Sequence, residues 1–67
     1  MRYIVWVDYE SGQTYTREPV SVVAPSAMLA CERAERVVAE SRGGRLEEYC
    51  AVKVREAASY KLVRRTA

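Results

Sequence analysis

The stretch VSVVAPSAMLACERAERVVAESRGG, residues 20–44, decides the fold. Val20 to Ala24 reads as extended chain, rich in β-branched valine. Pro25 closes that strand, and Ser26 opens a helix as its N-cap. Leu29 stands where a capping box would place Glu. From Ala27 the apolar spacing becomes helical. Ala27, Ala30, Cys31, Ala34, Val37, Val38 and Ser41 form one stripe, with Glu32, Arg33, Glu35, Arg36 and Glu40 on the other side. Glu32 and Arg36 are spaced for an i,i+4 ion pair. Gly43-Gly44 ends the helix, one of the two serving as a left-handed cap. A stripe made mostly of alanine lets the helix lie close to what it covers. It also buries little area, so the helix depends on a sheet.

The flanking segments supply that sheet. Arg2 to Glu10 carries Tyr3, Ile4, Val5, Trp6 and Val7, all strand formers. Ser11-Gly12 is a turn signal, and Gln13 to Arg17 reads as the returning strand. A two-residue turn there sets Val7 opposite Thr16 and Trp6 opposite Arg17, whereas a three-residue bulged loop inverts the phase. Pro19 cannot donate to a ladder, so the second strand is an edge, or breaks and bulges there. After the helix, Leu46 to Glu56 reads as a third strand. Ala57-Ala58-Ser59 is a short connection, and Tyr60 to Arg64 is a fourth, short strand. The expected fold is α+β: one ββαββ domain over residues 1–67, with a mostly antiparallel sheet and one helix packed on one face.

Length and composition agree with that scale. A chain of 67 residues buries only about 60% of its unfolded surface, so its core is marginal. Its 49% hydrophobic and 30% charged residues are a globular composition. No apolar run approaches the roughly 18 residues of a membrane span. The opening MRYIVWVDYE lacks the pattern of a signal peptide. The chain therefore reads as complete and cytoplasmic, with no membrane partner. Its net charge of +2 is too weak to announce nucleic acid by itself, and it argues against an acidic imitation of DNA. Nine of the eleven basic residues are Arg, the residue that favours interfaces. There is no His, the commonest general base and metal ligand. Cys31 and Cys50 form no CxxC pair and are expected to be two small buried thiols in a reducing compartment. No cofactor, metal site or catalytic constellation is expected, and the chain reads as a non-enzyme.

The faces of the sheet carry the functional content. Val5, Val7, Val20, Val22, Cys50, Val52, Val54 and Leu62 are expected beneath the helix. Ile4, Trp6, Tyr15, Arg17, Tyr49, Lys53, Arg55, Lys61 and Val63 are then left on the opposite face. If the turn inverts the phase, Tyr3, Val5, Val7 and Tyr9 become the exposed set. A lone soluble domain does not usually leave Trp, Ile and two Tyr together on an open sheet. Trp, Tyr and Arg are the residues of protein-interface hot spots, while aromatics beside cations on a sheet also stack bases and hold phosphates. Side chains that merely cover one another are the third possibility. The expected contact surface is Trp6, Tyr15, Arg17, Lys53, Arg55 and Lys61. Charge reversal at Arg17 and Arg55 is expected to weaken binding without unfolding the domain. A homodimer through the open face or the Pro19 edge is also compatible with the pattern. Asp8 and Glu10, like Glu47-Glu48, read as solvated carboxylates near turns and strand ends.

One further signal is a resemblance. A strand ending V-x-A-x-S, a helix with Ala every three or four residues, and a glycine exit recur in small phage and plasmid proteins. Here these are Val22, Ala24, Ser26, Ala30, Ala34 and Gly43-Gly44. The chain in this respect resembles some small anti-CRISPR inhibitors from mobile elements. The resemblance implies a non-enzymatic inhibitor in the host bacterial cytoplasm that docks on subunits of a CRISPR surveillance complex. It carries over no contact residues. A small nucleic-acid-binding module is the alternative reading.

Overall fold

The computed structural model describes residues 1–57. Strand β1, Arg2–Ser11, pairs antiparallel with β2, Thr14–Val23, and on its other side with β3, Cys50–Glu56. The sheet order is β2-β1-β3, with helix α1, Ala27–Arg42, between β2 and β3 in sequence. The α+β class holds, and Pro19 sits on an edge strand as its missing N–H requires. The fourth strand expected at Tyr60–Arg64, with Lys61, Leu62 and Val63, falls outside the described residues.

The hairpin turn is centred one residue later than the sequence suggests. Gly12 and Gln13 are its central pair: Ser11 faces Thr14, and Gly12 takes φ +67°. A positive φ at the first central position alone is the signature of the type II′ hairpin turn. Val7 consequently faces Glu18 and Trp6 faces Pro19, in place of Thr16 and Arg17. A shift of two residues preserves alternation, so the predicted faces of β1 and β2 survive. Tyr3, Val5, Val7 and Tyr9 are buried under the helix with Val22, and Val20 packs at the margin.

Helix α1 begins as expected. The Leu29 N–H donates to Ser26 Oγ at 3.3 Å. It ends at Gly43, with φ +79°, where the N–H groups of Gly43 and Gly44 both donate to the Ala39 carbonyl. Its buried residues are Ala30, Ala34, Val38 and Ala39, and Cys31 is half-buried. The buried stripe is therefore rotated from the expected one, since Ala27, Val37 and Ser41 are exposed. The Glu32–Arg36 ion pair is not formed; Arg33 instead donates to the Val23 carbonyl of β2 at 2.6 Å. Fully buried Val5, Val7 and Val38 each contribute about 1.5–3 kcal/mol of transfer free energy.

The third strand departs most from expectation. Leu46–Glu48 is a single 3₁₀ turn, and β3 starts only at Cys50. A bulge then intervenes: Trp6 faces Lys53, but Val7 faces Ala51, leaving Val52 as the extra residue. Val54 and Ala51 point toward the helix, as expected for Val54 alone. Cys50 and Val52 are exposed, whereas Tyr49, placed on the open face from sequence, is buried at 8% exposure. The Ala51 N–H beside the bulge donates to Glu35 Oε2 on the helix at 2.7 Å. A carboxylate of α1 thus takes a backbone donor next to the break in the ladder. Both cysteines are free, and Cys50 is not the buried thiol expected.

Candidate functional site

Strand alternation brings Arg2, Ile4, Trp6, Asp8 and Glu10 of β1 onto the face opposite α1. Tyr15, Arg17, Pro19 and Ser21 join them from β2, and Cys50, Lys53 and Arg55 from β3. No element among the described residues packs on that face. Trp6 stands on the central strand and is half-buried. Lys53 Nζ lies 5.1 Å from its ring centroid and Arg55 Cζ 6.0 Å. Both distances are in cation–π range, and the two cations account for the partial cover over the ring. Neither cation forms an ion pair among the described residues.

Arg17 behaves differently. Its Nε and Nη2 donate to the two carboxylate oxygens of Asp8 at 2.7 and 3.0 Å, a bidentate fork across the β1–β2 ladder. Asp8 is only 6% exposed, although its side chain belongs to the open face. The Arg17 hydrogen bonds hold its carboxyl below the usual aspartate range, against the opposing effect of burial. Arg17 is thus a structural cap on a buried carboxylate. Arg17 is exposed as expected, but reversing its charge would set a second carboxylate against Asp8, a structural cost that reversal at Arg55 does not carry. Sequence reasoning read Asp8 as solvated. The available signal was its place inside the apolar run Val7-Asp8-Tyr9, where an unpaired carboxylate is costly.

Tyr15 is on the open face but stands at the hairpin end, 70% exposed and opposite Glu10. It is not gathered with Trp6. The site that the described residues assemble is Trp6, Lys53 and Arg55, with Ile4 alongside. Lys61 lies outside the described residues. At the hairpin end an open cleft of about 500 Å³ runs between Glu10, Tyr15, Glu47, Glu48 and Tyr49. No group of three or more metal-ligating side chains occurs among the described residues.

Beneath the sheet, the last helical turn is tied to the hairpin. Tyr9 Oη donates to Glu18 Oε1 at 2.9 Å, and Arg42 Nη2 donates to the same oxygen at 3.0 Å. The Tyr9 ring packs on Tyr49 with centroids 5.1 Å apart. The hydrogen bond from Arg42, followed by that from Tyr9, lowers the Glu18 carboxyl below its ordinary value of 4.5. The same Tyr9–Glu18 bond raises the Tyr9 phenol. A depressed folded-state carboxyl stabilises the fold above its unfolded pKa, and that contribution disappears as pH falls through the folded value. Between pH 6 and pH 2, the Tm of Glu18→Gln should therefore fall by about 2–4 °C less than that of the parent chain. Thermal melts followed by circular dichroism check this; equal acid limbs would refute it.

No family model matches the chain, and no curated protein or solved structure matches it.

Proposed function

We propose that this chain is a non-enzymatic inhibitor that acts by docking, and that its contact surface is the sheet face opposite α1. Trp6 on the central strand, flanked by Lys53 and Arg55, which form no ion pair among the described residues, is the observation that carries the reading. Tryptophan and arginine dominate interface hot spots because a large ring and a planar cation lose little freedom for the area they bury. The resemblance to anti-CRISPR proteins of mobile elements supplies the partner class. That partner is a CRISPR surveillance complex in the bacterial cytoplasm, blocked in nucleic-acid access or a later step.

Pull-down against purified surveillance complexes, together with phage survival in a CRISPR-active host, tests this. Binding should weaken about tenfold or more in Trp6→Ala, while the thermal melt stays close to that of the parent. Failure to bind any complex type, together with no protection of phage, overturns the proposal. The cations beside the ring also favour a second reading, a nucleic-acid module. Its mark is an oligonucleotide affinity that falls steeply with salt.

A further inference from the structure

Resting on that docking reading, the geometry points to the chemistry of the partner segment: we infer that the Trp6 face takes an extended acidic peptide with carboxylates at alternate positions. Lys53 and Arg55 are two apart on one strand and point to the same face. Their Cα atoms are therefore about 6.6 Å apart along the strand. An extended chain repeats its side chains on one face at that same interval, so carboxylates at i and i+2 meet both cations at once. The Trp6 ring, directly opposite Lys53 on β1, offers an apolar surface beside them. The remaining described charges of the face limit what else fits. Arg17 is consumed by Asp8. Glu10 stands four residues from Trp6 on the same strand, about 13 Å away. Arg2, toward the other end of β1 on the same face and also about 13 Å from Trp6, donates to Ser21 Oγ at 3.1 Å. Beside the ring itself, the positive charge of the described residues is thus that of Lys53 and Arg55. A polyphosphate strand crossing the sheet toward the hairpin would leave this patch for the carboxylate of Glu10. A short acidic segment lying along β3 does not.

Trp6 is the only tryptophan in the chain, so its emission reports occupancy of the patch directly. The test titrates the full chain with a synthetic peptide of alternating Glu and Leu. The comparisons are a peptide of the same composition with its Glu residues in one block, and a single-stranded oligothymidylate. The expected result is a saturable change in Trp6 emission with the alternating peptide and at least tenfold weaker binding of the block peptide. The double variant Lys53→Glu/Arg55→Glu, whose altered side chains are exposed, should lose at least tenfold in affinity for the acidic peptide. It should gain affinity for an alternating Lys-Leu peptide, a response that general unfolding cannot give. Four results would each overturn the inference: no response to the acidic peptide, an undiminished response in the double variant, tighter binding of the oligothymidylate, or a dimer in light scattering that this variant dissociates. Loss of surveillance-complex binding in Trp6→Ala, with full retention in the double variant, would remove this inference alone and leave the docking reading standing.

Discussion

A chain carrying Ala34→Asp should be unfolded at 25 °C and show no cooperative melt. Ala34 is fully buried in the middle of α1, in one cluster with Val5, Val7 and Val38. A domain of 67 residues has a total stability of about 3–10 kcal/mol on the usual per-residue scale. Placing an unpaired carboxylate at this site costs several kcal/mol, whether it stays charged or takes up a proton. Forcing extra atoms into a helix–sheet contact set by alanine adds about 1–3 kcal/mol more. The sum reaches the whole stability of the fold. Ala27→Asp is the control. Ala27 is exposed in the first helical turn, where a negative charge is favourable. Circular dichroism melts decide the matter, and a parent-like transition for Ala34→Asp would show that α1 does not seal the sheet at this point.

The second large effect is expected at Gly44. Its neighbour Gly43 is needed for its left-handed backbone, but Gly44 is needed for space. A Cβ at position 44 would lie 2.5 Å from Tyr49 Oη and 2.7 Å from Cε1 of the same ring. Tyr49 cannot swing aside freely, because it is buried and its ring packs on Tyr9. Gly44→Val should therefore destabilise by about 2–3 kcal/mol, lowering Tm by about 10–20 °C. The cause is separable by a double-mutant cycle. In a Tyr49→Ala background the ring clash is gone and only the flexible end of Glu48, at 2.9 Å, is left to give way, so Gly44→Val should cost less than half as much. Equal costs in the two backgrounds would assign the loss to the backbone instead.

The legible parts of the fold are those specified locally. Ser26, the alanine spacing and Gly43-Gly44 mark the helix within a residue at each end, because caps act through adjacent backbone groups. The faces of β1 and β2 were also legible, although the turn was placed on Ser11-Gly12. Glycine at the first central position of a type II′ turn puts the pair at Gly12-Gln13, and the even shift kept Trp6 on the open face. Asp8 and Arg17 were missed as partners because the shorter register set Trp6 against Arg17. The third strand was not legible from Leu46 to Val52. A bulge has no composition of its own, and the one here adjoins the contact between Ala51 and Glu35, sixteen residues away. Reading period two straight through it exchanged Cys50 and Val52 for Tyr49 and Ala51. Trp6, Lys53 and Arg55 were nevertheless placed correctly, since the strand resumes its alternation after the bulge. Tyr15 was given the right face but the wrong neighbours, because alternation fixes which side a residue takes and not which end.

The Glu35–Ala51 hydrogen bond has a bearing on how the chain assembles. The hairpin between β1 and β2 is aligned by its own turn, but the β1–β3 pairing is separated by the entire helix and has no turn to align it. A single carboxylate on α1 selects which backbone amide of the incoming strand is held, so the helix acts as a ruler for β3. The segment between Arg42 and Cys50 is then released from setting alignment. The spacing of Lys53 and Arg55 around Trp6 is inherited from a side chain on the far side of the sheet.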